Sequence, residues 1–356
     1  MKILVISLAG IGDTMLATPL IRELRVNFPD AQVDALVLWA GSKDLLTGNP
    51  NLNTVHQKNL LKAGTTEALK FLWPLRRSQY DISINTHPQS RIHYRGTAWL
   101  VGARTRISHV YECSGVADRF LVNKTQPQDY QKHSVENNLD LLSLLEKRPV
   151  LPGHTLEVFL SGAEEEWAER FRQTHELSQR PTLGIHVGSG GTKNLSLKRW
   201  PLEHYVELVK KLRDAMPELA ILLFGGPEEE PELARIMAAD KSALTIRAKT
   251  ENLRQAGALM KRCTAFLSVD TALMHLAAAV KAPGQIVIEA PTFNKTNEPY
   301  GNEYVLVPNP AVGGRNLAYY RYDGQGIHGT REELQRLMAS VSVDAVYEAV
   351  HGVLRG

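Results

Sequence analysis

Residues 182–192, TLGIHVGSGGT, carry a short apolar run directly into a glycine-rich turn. Residues 2–13, KILVISLAGIGD, have the same design near the N-terminus. In each half of the chain, further apolar runs alternate with helical patterns, which is typical of a parallel sheet with crossover helices. The sequence therefore predicts an α/β protein with two Rossmann-like, doubly wound parallel sheets.

Four strands are predicted in each half from these apolar runs. They cover residues 2–8, 32–38, 53–57 and 80–85 in the first half, and residues 182–187, 219–224, 265–269 and 285–289 in the second. Helices follow most of them, including 202–215 and 252–263. The helix after Asp13 carries leucines at i, i+4 spacing, and Pro19 should bend it.

The length of 356 residues exceeds the roughly 250–300 residues at which single cores split into domains. We place the first domain at 1–178 and the second at 179–340, because the pattern restarts after a helix opened by Ser161 and Glu164 in capping-box spacing. Residues 341–356 form a last helix, which we expect to pack back on the first domain. We expect the two sheets to face a central cleft.

The bulk composition limits the class of protein. With 43% hydrophobic and 22% charged residues it is that of an ordinary globular enzyme, and a net charge of +3 does not indicate nucleic acid as a partner. No apolar run reaches the ~18 residues of a spanning helix, and no cleavage site follows the N-terminal run. Cys113 and Cys263 stand alone, so we expect a cytoplasmic protein without disulfides or structural zinc.

The first strand-to-helix turn, residues 8–14, presents the carboxylate of Asp13. It is not a dinucleotide fingerprint, because the third glycine would fall at Met15. In open α/β sheets ligands bind at the carboxyl ends of strands, so Asp13 should face a ligand. Capping of its own helix is the alternative role for Asp13.

Three turns of the second half have features that suit phosphate. Residues 186–192, HVGSGGT, form a loop that can wrap a phosphate, with Lys193 and Lys198 after it to neutralise the charge, although a flexible surface loop with solvated lysines is the alternative. Residues 224–230, FGGPEEE, open a helix with acids, of which one can accept hydrogen bonds from a ribose. Residues 268–275, SVDTALMH, direct N–H and hydroxyl donors at phosphate, or else contain only an N-cap and a core histidine.

These motifs make the chain resemble glycosyltransferase family 9, the ADP-heptose:lipopolysaccharide heptosyltransferases, over nearly its whole length. Residues 12–13 with 17–20, 100–107 (LVGARTRI) and 133–136 (HSVE) look like the family's acceptor half. Residues 188–190 (GSG), 198–201 (KRWP) and 268–271 (SVDT) look like its donor half.

The resemblance implies a GT-B fold with an acceptor-binding first domain and a donor-binding second domain. It implies inverting transfer from ADP-L-glycero-D-manno-heptose to an acceptor hydroxyl, with Asp13 as general base and Lys198 offsetting charge on the departing ADP. No metal is obligatory, and stimulation by Mg²⁺ is left open. The donor residues expected are Gly188, Ser189, Gly190, Thr192, Lys198, Glu229, Asp270, Thr271, Ala272 and His275.

Some positions depart from the family pattern. Ala272 replaces a common Gly, Met274 replaces Ser, and residues 291–294, PTFN, replace a Gly-Pro-Thr sequence. Donor class is therefore better indicated than donor identity.

On the acceptor side, positive charge in the first half suits an anionic, lipid-linked oligosaccharide such as the inner core of lipopolysaccharide. A solvated basic surface is the alternative. We expect a monomer with peripheral contact at the inner face of the cytoplasmic membrane. The acceptor residues expected are Gly12, Arg91, Arg95, Arg104 and Arg106.

Competing hypotheses remain at this stage. One keeps sugar transfer but changes the acceptor to a protein or a small molecule. Another is a nucleotide-sugar epimerase of the same fold, which would convert the donor without an acceptor. The last is a non-catalytic nucleotide-binding protein.

Overall fold

The computed structural model describes residues 1–356 and divides into two compact units. The first unit holds Met1–Phe159 together with Tyr322–Gly324, and the second holds Leu160–Arg321 and Gln325–Gly356. Each unit contains one parallel sheet of six strands.

Six strands and seven helices belong to the first unit. In chain order they are β1 (Lys2–Ser7), α1 (Ile11–Leu16), α2 (Thr18–Asn27), β2 (Gln32–Val37), α3 (Ala40–Leu46), β3 (Thr54–Gln57), α4 (Thr65–Arg77), β4 (Ile82–Asn85), α5 (Ile92–Val101), β5 (Thr105–Val110), α6 (Asp118–Leu121), β6 (Lys124–Pro127) and α7 (Ser134–Asp140), followed by a 3₁₀ turn at Leu141–Leu145.

The second unit has six strands and eight helices, with 3₁₀ turns at Leu195–Lys198 and Pro227–Glu229. Its elements are α8 (Gly162–Thr174), β7 (Thr182–His186), α9 (Leu202–Ala215), β8 (Ala220–Phe224), α10 (Glu230–Ala239), β9 (Thr245–Arg247), α11 (Leu253–Met260), β10 (Ala265–Val269), α12 (Ala272–Ala279), β11 (Gln285–Ile288), β12 (Tyr304–Val307), α13 (Asn316–Tyr319), α14 (Arg331–Ala339) and α15 (Val343–Arg355).

The two sheets have the same strand order. It is β3-β2-β1-β4-β5-β6 in the first unit and β12-β11-β10-β7-β8-β9 in the second, and every pairing is parallel. The inner strands β1, β7, β8 and β10 are buried almost throughout, because helices cover both faces of a doubly wound sheet. This is the predicted fold class.

The sequence prediction missed four strands: β5, β6, β9 and β12. Strand β5 mixes Arg106, Ser108 and His109 with its apolar residues, and β9 has only three residues. Strands β6 and β12 lie at sheet edges and are largely exposed, so neither needs a continuous apolar run.

Proline 19 interrupts the first helical stretch as expected. The stretch is two helices, α1 and α2, which meet at Ala17, and Pro19 occupies the first turn of α2. The missing N–H of proline is tolerated there because first-turn N–H groups have no intrahelical partner.

The division between the units differs from the sequence boundary at residue 178. Helix α8 lies in the second unit, where Glu164 pairs with Arg254 at 3.0 Å and Glu165 with Lys261 at 3.0 Å. The last helix, α15, also lies in the second unit and buries Val346 and Val350 in its core against α9 and the sheet. Apolar residues on one face of α15 explain that placement.

No single helix is long and apolar enough to cross a membrane. The bent pair of α14 and α15 passes a test of length and composition, but its apolar residues Leu334, Met338 and Val346 are buried within the second unit.

Candidate functional site

The second unit places three of the predicted turns at the carboxyl ends of adjacent strands. Strands β10, β7 and β8 are neighbours, and the strand order reverses between β7 and β10. Ligands of open α/β sheets bind at such a switch point, because helices leave in opposite directions and open a crevice. The turns after β7, β8 and β10 therefore form one candidate site.

At the centre of this site Lys198 and Asp270 form a buried ion pair. The Nζ of Lys198 donates to Oδ2 of Asp270 at 3.2 Å, and only 8% and 5% of the two residues is exposed. The same carboxylate oxygen accepts from Thr292 at 2.5 Å and from Asn297 at 3.0 Å. Burial alone would raise the pKa of Asp270, but the charges of Lys198 and His275 hold that pKa below its usual value.

Helix α12 begins at the pair and its N-terminus is capped by Thr271. The hydroxyl of Thr271 accepts from the N–H of Met274 and lies 3.2 Å from Nδ1 of His186. Burial lowers the pKa of His186 to about 3, with Arg199 adding to the effect, so His186 is neutral at pH 7. His275 lies buried in the first turn of α12. A helix N-terminus with a neighbouring lysine is suited to anionic oxygens.

Glu229 is held beside the glycine loop by a second charge network. Arg199 donates to Glu229 at 2.9 Å, to Glu232 at 2.8 Å and to the carbonyl of Ser189 at 2.9 Å. The N–H of Gly226 donates to the other Glu229 oxygen at 2.8 Å. A Cβ at Gly188 would lie 2.5 Å from Glu229, so only glycine allows this approach.

The remaining predicted donor residues lie along the same edge. Ser189 is buried and its hydroxyl donates to the carbonyl of Leu195 at 2.8 Å. Gly190 and Thr192 are exposed, and Ala272 is the first residue of α12. The structure thus brings all the predicted donor positions to the carboxyl edge of one sheet.

In the first unit, Asp13 lies at the equivalent switch point, between β1 and β4. Its Oδ2 accepts from the N–H of Gly10 at 2.6 Å in the first turn of α1, and Gly12 is the preceding residue. Burial raises the pKa of Tyr94 and of Tyr111, and the charge of Asp13 raises both further. Asp13 therefore caps its helix, and its charge also acts on these two phenols.

A buried cluster at the end of β4 was not predicted. His87 contacts Tyr111 through Nδ1 at 3.2 Å, and the N–H of Gln89 donates to the same Tyr111 hydroxyl at 2.8 Å. Asn138 accepts from the N–H of His87 at 2.7 Å, and the ring of Tyr322 lies 4.9 Å from that of His87. The run of polar residues where β4 ends, residues 85–90, is the sequence signal that could have identified this cluster.

Arg91 and Arg95 lie on either side of the start of α5 but have different surroundings. Arg91 is partly exposed and donates to the carbonyl of Gly324 at 2.8 Å. Arg95 is 1% exposed, pairs with Asp118 and donates to the carbonyls of Gln89 and Ser90 at 2.8 and 2.9 Å. An acceptor phosphate at Arg95 would have to replace these partners.

The four arginines expected on the acceptor side do not lie together. Arg104 precedes β5 and Arg106 is its second residue, paired in register with Ser83 of β4, so both lie at the amino end of the sheet. Asp13 lies beyond the carboxyl end. Arg106 donates to the carbonyls of Leu121 and Ala103 at 2.8 and 2.9 Å. Arg104 and Arg106 are close to α5 in the sequence but not to its start, because this helix runs from the carboxyl end of the sheet back to the amino end.

The chemistry available in the second unit is stabilisation of anionic oxygen by a lysine, a helix N-terminus and hydroxyl groups. The first unit offers a carboxylate whose charge acts on two phenols, one of which contacts a buried imidazole. No group of three or more His, Cys, Asp or Glu side chains is arranged to hold a metal ion.

Known proteins resemble the chain over most of its length. The model of "Glycosyltransferase family 9 (heptosyltransferase)" matches residues 68–315. Lipooligosaccharide heptosyltransferase 2 of Haemophilus influenzae is 27% identical over 323 residues, covering 86% of this chain and 88% of the relative. Lipopolysaccharide heptosyltransferase 3 of Escherichia coli is 27% identical over 290 residues, covering 76% and 78%.

Solved structures share the fold. The structure of Escherichia coli ADP-heptose LPS heptosyltransferase II superposes with a TM-score of 0.74 at 23% identity and covers 100% of this chain and 99% of its own. An Escherichia coli heptosyltransferase with ADP gives a TM-score of 0.68 at 17% identity, covering 99% and 97%. With its two Rossmann-like units, the chain has the GT-B fold and belongs to glycosyltransferase family 9, the heptosyltransferases.

Proposed function

We propose that this glycosyltransferase transfers heptose, with inversion, from ADP-L-glycero-D-manno-heptose to a hydroxyl of the inner core of lipopolysaccharide. The observation that carries the proposal is the buried Lys198–Asp270 pair beside the capped N-terminus of α12. A lysine buried at a helix N-terminus has little purpose in packing and is well suited to a diphosphate.

The donor diphosphate is proposed to bind at this helix end. Lys198 would contact a phosphate oxygen while Asp270 holds its ammonium in place, and the hydroxyl of Thr271 and the N–H groups of α12 would donate to the others. Glu229 is proposed as the ribose contact. Its two oxygens already accept from Arg199 and Gly226, but an ionised carboxylate has about four acceptor positions.

In the proposed reaction, Asp13 takes the proton of the acceptor hydroxyl as that oxygen attacks the anomeric carbon of heptose. The new C–O bond forms on the face opposite the bond to ADP, which breaks and leaves its electron pair on the diphosphate. Negative charge therefore grows on the diphosphate, where Lys198 and the N-terminus of α12 stabilise it. No metal or other cofactor is needed for this charge balance. An assay of transfer with and without Mg²⁺ tests whether the ion accelerates the reaction.

The names of the relatives support the acceptor and the donor. Two relatives at 27% identity are named for heptose transfer in lipooligosaccharide or lipopolysaccharide, and a structural neighbour is titled as an ADP-heptose enzyme. We propose Arg91 as the acceptor contact, with Gly12 beside Asp13. Arg95 is proposed to position residues 89–90 through its carbonyl bonds, and Arg104 and Arg106 receive no acceptor role because they lie at the opposite end of the sheet.

Asp13→Asn tests the proposal. With ADP-heptose and heptose-deficient lipopolysaccharide, transfer should fall by about 10²–10⁴-fold, because an amide cannot accept the proton. The affinity for ADP, measured by calorimetry, should stay within about twofold of wild type. The product formed by the wild type should have the anomeric configuration opposite to that of the ADP-heptose donor, as determined by NMR.

The control is Asp30→Asn, an exposed acid of the same unit. It should leave transfer unchanged. Equal loss of ADP binding and transfer in Asp13→Asn would contradict the role of base, and turnover of ADP-heptose without any acceptor would favour an epimerase. A preference for UDP over ADP would remove the proposed donor.

A further inference from the structure

Helix α4 has two apolar faces, and one of them is exposed. Leu72 and Leu75 are buried in the core of the first unit. On the other face Leu69 and Trp73, one turn apart, are 50% and 59% exposed. An amphipathic surface helix needs only one apolar face to pack on a sheet, so the second face requires another explanation.

The exposed face of α4 borders a groove with the end of α5. The groove encloses about 750 Å³, and Trp99 of α5, 51% exposed, lies on its opposite side. Arg76 joins the two helices, because its Nη1 donates to the carbonyl of Leu100 at 3.0 Å. We call this surface the α4–α5 groove; its apolar lining is Leu69, Leu72, Trp73, Pro74, Trp99 and Leu100.

The charge around the α4–α5 groove is strongly positive. Residues 58–77 contain five cations and one acid, and that acid, Glu67, is paired with Lys58. Lys70, Arg76 and Arg77 are exposed on α4 itself. The surface therefore combines two exposed indole rings and an apolar strip with several cations nearby.

We infer that the α4–α5 groove binds the surface of an anionic phospholipid bilayer. Tryptophan favours the level of the lipid head groups, where its ring is buried and its N–H remains hydrated. Lysine and arginine beside it are attracted to lipid phosphates. A protein partner would need acidic residues at matching positions, whereas anionic head groups supply negative charge everywhere along the groove.

The groove lies at the end of α5 that is farther from the proposed acceptor contact Arg91. Trp99 is on the same helix as Arg95 and eight residues beyond Arg91, which corresponds to about 12 Å along the helix axis. Binding at this surface would place the first unit on the bilayer that anchors the proposed acceptor, with Asp13 toward the opposite end of the sheet. The inference goes beyond the proposed function, because binding to lipid can be measured without any sugar.

Vesicle flotation tests the inference with the full chain. The wild type should float with vesicles of phosphatidylethanolamine and phosphatidylglycerol, and much less with phosphatidylcholine alone. Trp73→Ser combined with Trp99→Ser should weaken binding by on the order of tenfold or more, because two large apolar side chains no longer enter the interface. Lys70→Glu should weaken binding to the anionic vesicles alone, by about fivefold or more.

Phe120→Ser is the matched control, since Phe120 is 74% exposed in the same unit and does not line the groove. It should float like the wild type. Circular dichroism checks that all variants are folded, and transfer to a water-soluble acceptor without lipid should be unchanged in each. That last measurement separates failure of the groove from failure of the proposed reaction.

Three results would overturn the inference. The first is a wild type that does not float with anionic vesicles, and the second is a double tryptophan variant that floats as well as the wild type. The third is a dimer in sedimentation velocity that dissociates in the double variant, which would make the groove a contact between two copies of this chain.

Discussion

Residue 188 has to be glycine because Glu229 occupies the space that a side chain at this position would need. A Cβ at Gly188 would lie 2.5 Å from Oε1 of Glu229, and that carboxylate is held by Arg199 and Gly226. Gly188→Ala should therefore displace Glu229 and cost about 1–3 kcal/mol in the free energy of unfolding. We expect ADP affinity, measured by calorimetry, to fall about tenfold if Glu229 contacts the ribose.

Gly190→Ala provides a matched control two residues away. A Cβ at Gly190 has nothing within 4 Å, and its φ is not in the left-handed region. This variant should keep wild-type stability and ADP affinity. Equal effects of the two substitutions on stability and ADP affinity would show that both quantities depend on the flexibility of the loop and not on the space for Glu229.

Lys198 gives a second residue-scale prediction. Lys198→Met removes the ammonium from a site where Asp270 is buried, so the free energy of unfolding should drop by about 3–5 kcal/mol. ADP should bind at least about tenfold more weakly, because a charge-assisted contact is lost. Lys210→Met is the control, since Lys210 is exposed on α9 of the same unit. ADP affinity that is unchanged in Lys198→Met would contradict the donor assignment.

At the scale of elements, α2 holds the segment that leads out of the first sheet. Glu23 of α2 is fully buried and accepts from the N–H groups of Val150 and Leu151 at 3.0 and 2.9 Å and from His154 at 2.9 Å. Burial would raise the pKa of Glu23, but these donors outweigh it and lower that pKa. One carboxylate thus connects a helix to a loop more than 120 residues away.

Glu23→Gln should lower the free energy of unfolding of the first unit by about 3 kcal/mol at pH 7, because buried donors lose a charged acceptor. Since the folded pKa is lowered, the carboxylate contributes above its usual value of 4.5 and loses that contribution as pH falls through the folded pKa. The difference between variant and wild type in urea unfolding should therefore shrink below pH 4.5.

The neighbouring Arg22→Ala is the control on the same helix. Arg22 pairs with Glu157 at 3.0 Å but is 41% exposed, so its loss should cost less than about 1 kcal/mol. A larger loss in Arg22→Ala than in Glu23→Gln would contradict the anchoring role of the buried carboxylate.

For the whole molecule, buried neutral histidines set the response to acid. Burial lowers the pKa of His109 in the first unit to about 4 and that of His186 in the second to about 3, with Arg199 assisting at His186. Burial also lowers the pKa of His87 well below 6.5, with His109 and His133 adding to it. All three stay neutral in the folded protein at pH values where the unfolded chain is protonated.

The unfolded chain takes up these protons below about pH 6.5, so stability should fall with pH from there by about 1.4 kcal/mol per pH unit for each histidine. His109→Gln should reduce the slope by about 1.4 kcal/mol per pH unit in calorimetric unfolding between pH 6.5 and 5. His328→Gln, at an exposed position, should leave the slope unchanged. A stability that is flat over this range would contradict the prediction.

The sequence by itself determined the α/β class, every inner strand except β5, the edge strand β3, and the turns that carry Asp13 and the donor residues, because continuous apolar runs, glycine turns and helix caps are local signals. It did not determine β6 and β12, which bury too little to need an apolar run, β9, which has only three residues, or β5, in which polar residues interrupt the apolar run. Nor did it determine which unit α8 and α15 join, since either helix could have packed on either sheet.

Only the tertiary structure decided which charges meet. It pairs Lys198 with Asp270, 72 residues away, and assigns Arg199 to Glu229, whereas it separates Arg104 and Arg106 from Asp13 by the length of the sheet. It also brings Trp73 of α4 and Trp99 of α5 to one groove and leaves both side chains exposed. Such contacts depend on strand order and helix direction, which arise from the packing of the whole chain and have no local pattern.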